Sequence, residues 1–272
     1  KVKITVPADH VVASTGECKN YSTVLTSTQL ARYQKAQTAK EPVEIITLKE
    51  ALENSKTKKT GKKTWIFEAL NVRDFAFNTS RRLVWDALAT TIEGKKIMCM
   101  SFYGKEAYPI YSKYSTKVVE HTLKVYSRIS IPYPYPVAQS IEANIGMEYP
   151  MLAMNYGRAD MNGNYSAATR NGAIGVIIHE VGHNFFPMIV NSDERQWTWM
   201  DEGFNTFING ISAKDFNKGE YAQPNQNMHE AAFSITNPDM ETVISAPDNL
   251  KEDNLGILAY YKPGSALDIL RN

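Results

Sequence analysis

The first third of the chain alternates apolar and polar residues over short runs. Val2-Lys3-Ile4-Thr5-Val6 and the segment Trp65-Ile66-Phe67-Glu68-Ala69-Leu70 carry the period-two pattern of strands with one buried face. Turn residues separate such runs, so residues 1 to about 83 read as β-rich. Within them Leu30 to Ser55 fits neither period well, with a short helix expected at Leu48 to Asn54. After Asp74-Phe75-Ala76-Phe77 the character changes. A strand is predicted at Lys96 to Phe102. Tyr111 to Ser130 then has apolar residues at Tyr111, Tyr114, Val118, Leu123, Val125 and Ile129, an amphipathic helix. The proline-rich turn Ile131 to Pro136 leads into a strand region that carries Glu148, with Ile141 to Asn144 and Met151 to Met154 as strands. Asn171 to Phe186 is apolar enough for a buried helix, with Asn171 as its N-cap and Pro187 marking its end. Trp197 to Ile211 repeats apolar residues at helical spacing.

Chemistry enters at His179-Glu180-Val181-Gly182-His183. On a helix, side chains at i and i+4 stand one above the other, so both imidazoles can face one metal ion. A tetrahedral zinc with catalytic function takes three protein ligands and keeps one open position. Glu202, separated from His183 by eighteen residues and on the next predicted helix, is the candidate third ligand. Glu180 sits beside His179, placed to hydrogen-bond a water at the metal without being a ligand, and reads as the general base. The competing reading is a core helix whose histidines happen to share a face. It would bury two imidazoles and two carboxylates with nothing between them, which is costly.

The stretch His179 to Phe207 (HEVGHNFFPMIVNSDERQWTWMDEGFNTF) resembles the zinc-binding region of the aminopeptidase N family, the gluzincin metallopeptidases that include leukotriene hydrolase. Gly146-Met147-Glu148-Tyr149-Pro150 stands where that family carries its Gly-x-Met-Glu-Asn motif. Tyr260-Tyr261-Lys262-Pro263-Gly264 is similar to its tyrosine-bearing helix, and Lys3 to Gly16 is similar to the closing strands of its saddle-shaped N-terminal domain. The resemblance implies an α+β fold: the C-terminal part of a β-rich, saddle-like domain over residues 1–83, then a thermolysin-like zincin catalytic domain over 84–272 with a small mixed sheet and metal-bearing helices. It implies one zinc ion per chain on His179, His183 and Glu202, with Glu180 and Tyr260 catalytic. Gly146, Met147 and Glu148 would bind substrate. A carboxylate at Glu148 suits an enzyme that must hold a free α-ammonium, which stays mostly charged at neutral pH. A neutral phenol at Tyr260 suits a developing oxyanion.

The expected activity is therefore removal of the first residue from peptides with a free N-terminus. Alternatives are a thermolysin-type endopeptidase, a leukotriene-hydrolase-like epoxide hydrolase and a noncatalytic peptide-binding or scaffold relative. Tyr149 replaces the family's asparagine, and Asn184-Phe185-Phe186-Pro187 replaces its polar-Trp-Phe-Gly, so the shape of the first-residue pocket does not carry over. Measured against the family, the chain is expected to be a piece of a longer protein, opening inside the β domain and stopping within the tyrosine-bearing helix.

Composition narrows the partners. Thirty basic against twenty-nine acidic residues give a net charge of +1, which points to no nucleic-acid partner. No apolar run approaches the length of a membrane span, the longest being Ala173 to Ile178. Lys56, Lys58, Lys59, Lys62 and Lys63 around Gly61 read as a solvated hairpin loop. Cys18 and Cys99 form no paired motif and read as small buried residues. His10, His121 and His229 have no partner at ligand spacing. An extracytoplasmic bacterial setting is expected, by resemblance to secreted members with Met-Asp-Glu-Gly-Phe-Asn in the third-ligand helix.

Overall fold

A computed structural model describes residues 1–56, 58–222, 232 and 235–271. His229 therefore lies outside the described residues. The alternating runs become strands as expected. β1 (Val2–Pro7), β3 (Glu17–Cys18) and β5 (Lys62–Glu68) form an antiparallel sheet in the order β1-β5-β3, with Ile4 opposite Trp65. β2 (Val11–Ser14) pairs with β6 (Phe77–Ser80).

The main sheet has six strands in the order β10-β11-β9-β8-β7-β4. β4 is Val43–Ile46, β7 Val84–Ile92, β8 Lys95–Tyr103, β9 Val137–Glu142, β10 Met147–Tyr149 and β11 Leu152–Asn155. β8, β9 and β11 run parallel to one another, whereas β10, β7 and β4 join antiparallel. One strand from upstream of residue 83, β4, edges this sheet.

Side-chain alternation along the strands sends the two faces to different partners. Ser101 and Ser140 meet Ser115 of helix α4 (Tyr108–Ile129). Their neighbours face the other way: Gln139 Nε2 donates to Ser14 O at 2.7 Å, and Trp85 packs on Tyr21 and Tyr33. Those two tyrosines belong to α1 (Tyr21–Val24) and α2 (Ser27–Ala36). Both faces are thus covered, which is why β7 and β8 read as nearly continuous apolar runs rather than alternating ones. The α+β class holds, with a β-rich N-terminal part.

Several local expectations need correction. α2 begins with a capping box in which Thr26 and Gln29 each accept the other's backbone N–H, so helix replaces part of the segment that neither period fitted. α3 (Leu48–Lys56) matches the short helix, but Lys56 ends it and Lys62 and Lys63 open β5. The basic cluster is therefore a helix-to-strand connection, not a hairpin loop, and Lys63 Nζ donates to Val24 O at 2.7 Å. Cys18 and Cys99 are buried and free. His10 bonds Thr79 and His121 bonds Ser212 O, in keeping with structural roles. Among the described residues no helix is long and apolar enough to cross a membrane.

Candidate metal centre

The first ligand helix, α5 (Ala167–Gly182), packs on α4, β9, β10 and β11. It starts four residues earlier than expected because Ser166, not Asn171, accepts the N-cap bond from Thr169 N at 3.0 Å. It also ends earlier, at Gly182. The chain then passes through the tight turn Asn184–Ile189, where Phe186 is extended and the Phe186–Pro187 peptide is cis. Asn184 fixes that turn by accepting from Met151 N at 2.7 Å and donating to Val181 O at 3.0 Å. Glu202 lies on a wide helical turn, Trp199–Gly203, that runs into α6 (Phe204–Asp215).

These elements bring the three expected ligands together. His179 Nε2 lies 3.0 Å from Glu202 Oε2, His183 Nε2 lies 3.2 Å from the same oxygen, and the two Nε2 atoms are 3.1 Å apart. Donors about 2.0–2.1 Å from a tetrahedral ion stand roughly 3.3 Å from one another, so the triangle is that of a zinc site to within a few tenths of an ångström. The donor set of two imidazoles and one carboxylate suits zinc as well. In the absence of an ion, a protonated His183 can donate across this gap to His179 or to Glu202.

The electrostatics follow from this crowding. Burial works against charge on Glu202, yet the two histidines hold its pKa well below the usual range. Burial pushes His179 down. For His183 burial acts in the same sense, but the carboxylates of Glu202 and Asp201 outweigh it and push the pKa well up. Only a neutral imidazole is a ligand, so this proton is one that an incoming metal ion would displace. His183 Nδ1 faces Phe186 O at 2.8 Å. Asp201 Oδ1 is equally near that nitrogen but makes no well-aligned hydrogen bond there.

The remaining expected residues ring this triangle. Glu180 is buried beside it, and burial raises its pKa to about 8. Gly146 touches that carboxylate closely enough that a β-carbon at 146 would collide with Glu180 Oε1. Met147 and Glu148 lie on edge strand β10, which packs against α5. The Glu148 carboxylate, that of Asp201 and a His183 ring nitrogen lie within 4.8 Å of one another, and burial raises the Glu148 pKa to about 7. Tyr260 sits on the turn Ile257–Tyr261, just before a short helix that ends the described chain, Lys262–Arg271. Its hydroxyl donates to Glu202 Oε1 at 2.8 Å and its ring stacks on His179. Burial and the nearby Glu202 raise its pKa far above that of a free phenol. His179 keeps 15% of its side chain exposed while His183 is almost fully covered, so the site opens on the His179 side.

The sequence reading did not single out Asp201, Asn205 or Tyr126. Asp201 and Asn205 could have been suspected from their spacing around Glu202. Tyr126, distant in sequence on α4, gave no signal.

No protein-family model matches the chain. Among curated proteins it is similar to aminopeptidase M1-A of Oryza sativa subsp. japonica, with 26% identity over 135 residues, which is 47% of this chain and 15% of that protein. Among solved structures it is similar to an M1 zinc metallopeptidase from Deinococcus radiodurans, with a TM-score of 0.61 and 16% identity over 99% of this chain and 51% of that one. A mutant of that enzyme bound to a Tyr-Ser-Ala substrate gives a TM-score of 0.57 at 15% identity, with the same coverage. The chain thus spans about half the length of the solved structures it matches, and a much smaller part of the curated relative. The resemblance to the aminopeptidase N family holds both in a sequence match and in the fold.

Proposed function

We propose that the chain, which has the fold of the M1 zinc metallopeptidases, is the metal-bearing part of a zinc aminopeptidase that hydrolyses the first bond of peptides with a free N-terminus. The observation that carries this reading is the convergence of His179, His183 and Glu202, with Glu180 and Glu148 beside them. Zinc held by those three side chains would supply Lewis acidity and a water whose pKa falls to near 7.

The chain's own residues divide the rest. Glu180 takes a proton from the attacking water and returns it to the leaving amine. Its pKa of about 8 without a cation places it close to neutral, and a dication at the histidines favours the carboxylate form that a base requires. The Tyr260 phenol, kept protonated, is a hydrogen-bond donor for the developing oxyanion once it turns from Glu202 Oε1. Glu148, on the edge strand, holds the substrate's α-ammonium and thereby sets which bond reaches the zinc. Gly146 leaves the room that the Glu180 carboxylate occupies. Met147 belongs to the same substrate-facing strand.

The test is cleavage of matched peptides with free and with acetylated N-termini by the zinc-loaded protein. Cleavage of the free peptides alone supports the aminopeptidase. Equal cleavage of both replaces it with an endopeptidase. Cleavage of neither, with zinc bound, favours the epoxide-hydrolase and noncatalytic alternatives.

A further inference from the structure

Next to the candidate metal centre, three helices meet at a buried polar contact. Asn205 lies three residues after Glu202 in α6 and is fully buried. Its Nδ2 donates to His179 O at 2.8 Å. That carbonyl also accepts from His183 N at 3.2 Å, closing the turn at the end of α5 that joins the two histidines. From α4, Tyr126 Oη donates to Asn205 Oδ1 at 2.8 Å, and the Tyr126 ring packs on Phe185. Each end of the Asn205 amide is therefore engaged, nitrogen on a carbonyl and oxygen on a hydroxyl, and its orientation is fixed. The space they occupy exists because residue 182 is glycine: a β-carbon there would overlap both Asn205 Oδ1 and Tyr126 Oη.

We propose that Tyr126 and Asn205, seated against Gly182, are positioning residues that set the distance between Glu202 and the two histidines. The amide joins the helix that carries Glu202 directly to the backbone of His179. Neither side chain is among the ligand atoms, so both act through those residues. Donor sets of this kind work only when held within about 0.5 Å of their geometry, and losing an outer partner of a metal ligand typically weakens binding 10- to 100-fold. The inference rests on the zinc reading above.

The experiment measures zinc affinity by competition with a chromophoric chelator, the visible absorption of the cobalt-substituted protein, and the melting temperature of the metal-free protein. It uses the wild-type chain, Tyr126→Phe, Asn205→Ala and the double variant. We expect each single substitution to weaken zinc about tenfold or more and to change the cobalt spectrum. The double variant should bind no more weakly than Asn205→Ala, because Tyr126 acts through Asn205. Wild-type affinity and spectrum in either single variant would overturn the proposal, as would losses that multiply in the double variant, which would mean two independent packing effects. If Asn205→Ala does not fold, Asn205→Leu keeps the volume but loses both the donor to His179 O and the acceptor for Tyr126. The same loss is expected there, and unchanged binding overturns the proposal. A wild-type chain that holds no zinc would instead remove the zinc reading, and this inference with it.

Discussion

Two buried polar clusters lie on either side of α4 and its neighbours, and they are finished in different ways. Between α4 and the main sheet, Tyr103 Oη donates to Asp86 Oδ2 at 2.6 Å, and Asp86 Oδ1 meets the Thr116 hydroxyl. Thr116 is bonded to Ser101, Ser101 to Ser115, and Ser115 to Ser140. Asn155 closes the series, its oxygen accepting from Ser140 Oγ at 2.9 Å and its nitrogen donating to Val176 O in α5 at 3.2 Å. Each hydroxyl has one proton. All of them can donate in a single direction if Asp86 is protonated and begins the series, and burial does raise its pKa to about 7. With Asp86 protonated, this cluster is neutral and complete within the protein. At the metal centre the polar atoms instead converge on a common point where two ring nitrogens and a carboxylate oxygen have only each other. Burial alone therefore does not mark a site. What marks it is a buried set of donors whose geometry is satisfied by an ion rather than by its own members.

The contrast predicts that substitutions at the two clusters move different observables. The largest effect is expected from Glu180→Gln. Zinc content should be retained and turnover of a free peptide should fall by roughly two to four orders of magnitude, while a near-normal rate would end the assignment of Glu180 as the base. Gly146→Ala pushes on the free end of that same carboxylate and not on the backbone. Its rate should fall by up to about a hundredfold, the scale of an ångström-sized misplacement, with an unchanged melting curve. A large loss of stability would instead make Gly146 a folding residue. Glu148→Gln removes a charge-assisted contact worth roughly 1.5–3 kcal/mol. The drop in kcat/KM should be confined to peptides with a free N-terminus, and an equal drop on acetylated peptides would contradict its role.

Asp86 should move stability and leave turnover unchanged. Its native pKa of about 7 stands above the ordinary value of 3.8, so between those limits the folded state holds a proton that the unfolded state has lost. Stability therefore falls as pH rises through that window, by at most ~1.4 kcal/mol per pH unit, and levels off on both sides. Asp86→Asn, which can still donate to Thr116, should flatten the slope in denaturant titrations at several pH values. An unchanged slope would remove the protonated reading of the cluster.

The expected ligands and their neighbours were legible because helical spacing alone puts His179 and His183 on one face, and because the motifs around Glu148, Glu202 and Tyr260 are local in sequence. The limits of α5 were misjudged for local reasons too. Asn171 is a plausible cap by type, but Ser166 has the extended backbone and the accepting hydroxyl, and Pro187 falls in the following turn and not at the helix end. The helix α2 could have been read from Thr26-Ser27-Thr28-Gln29, whose first and last residues are the two halves of its capping box. Pairings such as β4 with β7 were not legible in this way, since Val43 and Ala87 are far apart in the sequence and no local pattern joins them. Tyr126 was hidden for the same reason, its partner lying 79 residues away.

The bond from Gln139 Nε2 to Ser14 O spans 125 residues and has both ends buried. Separating the N-terminal strands from the main sheet would break that bond and uncover the face of the sheet that Trp85 shares with α1 and α2. The two parts are therefore coupled in their melting. The chain should unfold in one calorimetric transition, and proteolytic removal of the N-terminal strands should leave a remainder that aggregates rather than a smaller, independently stable domain.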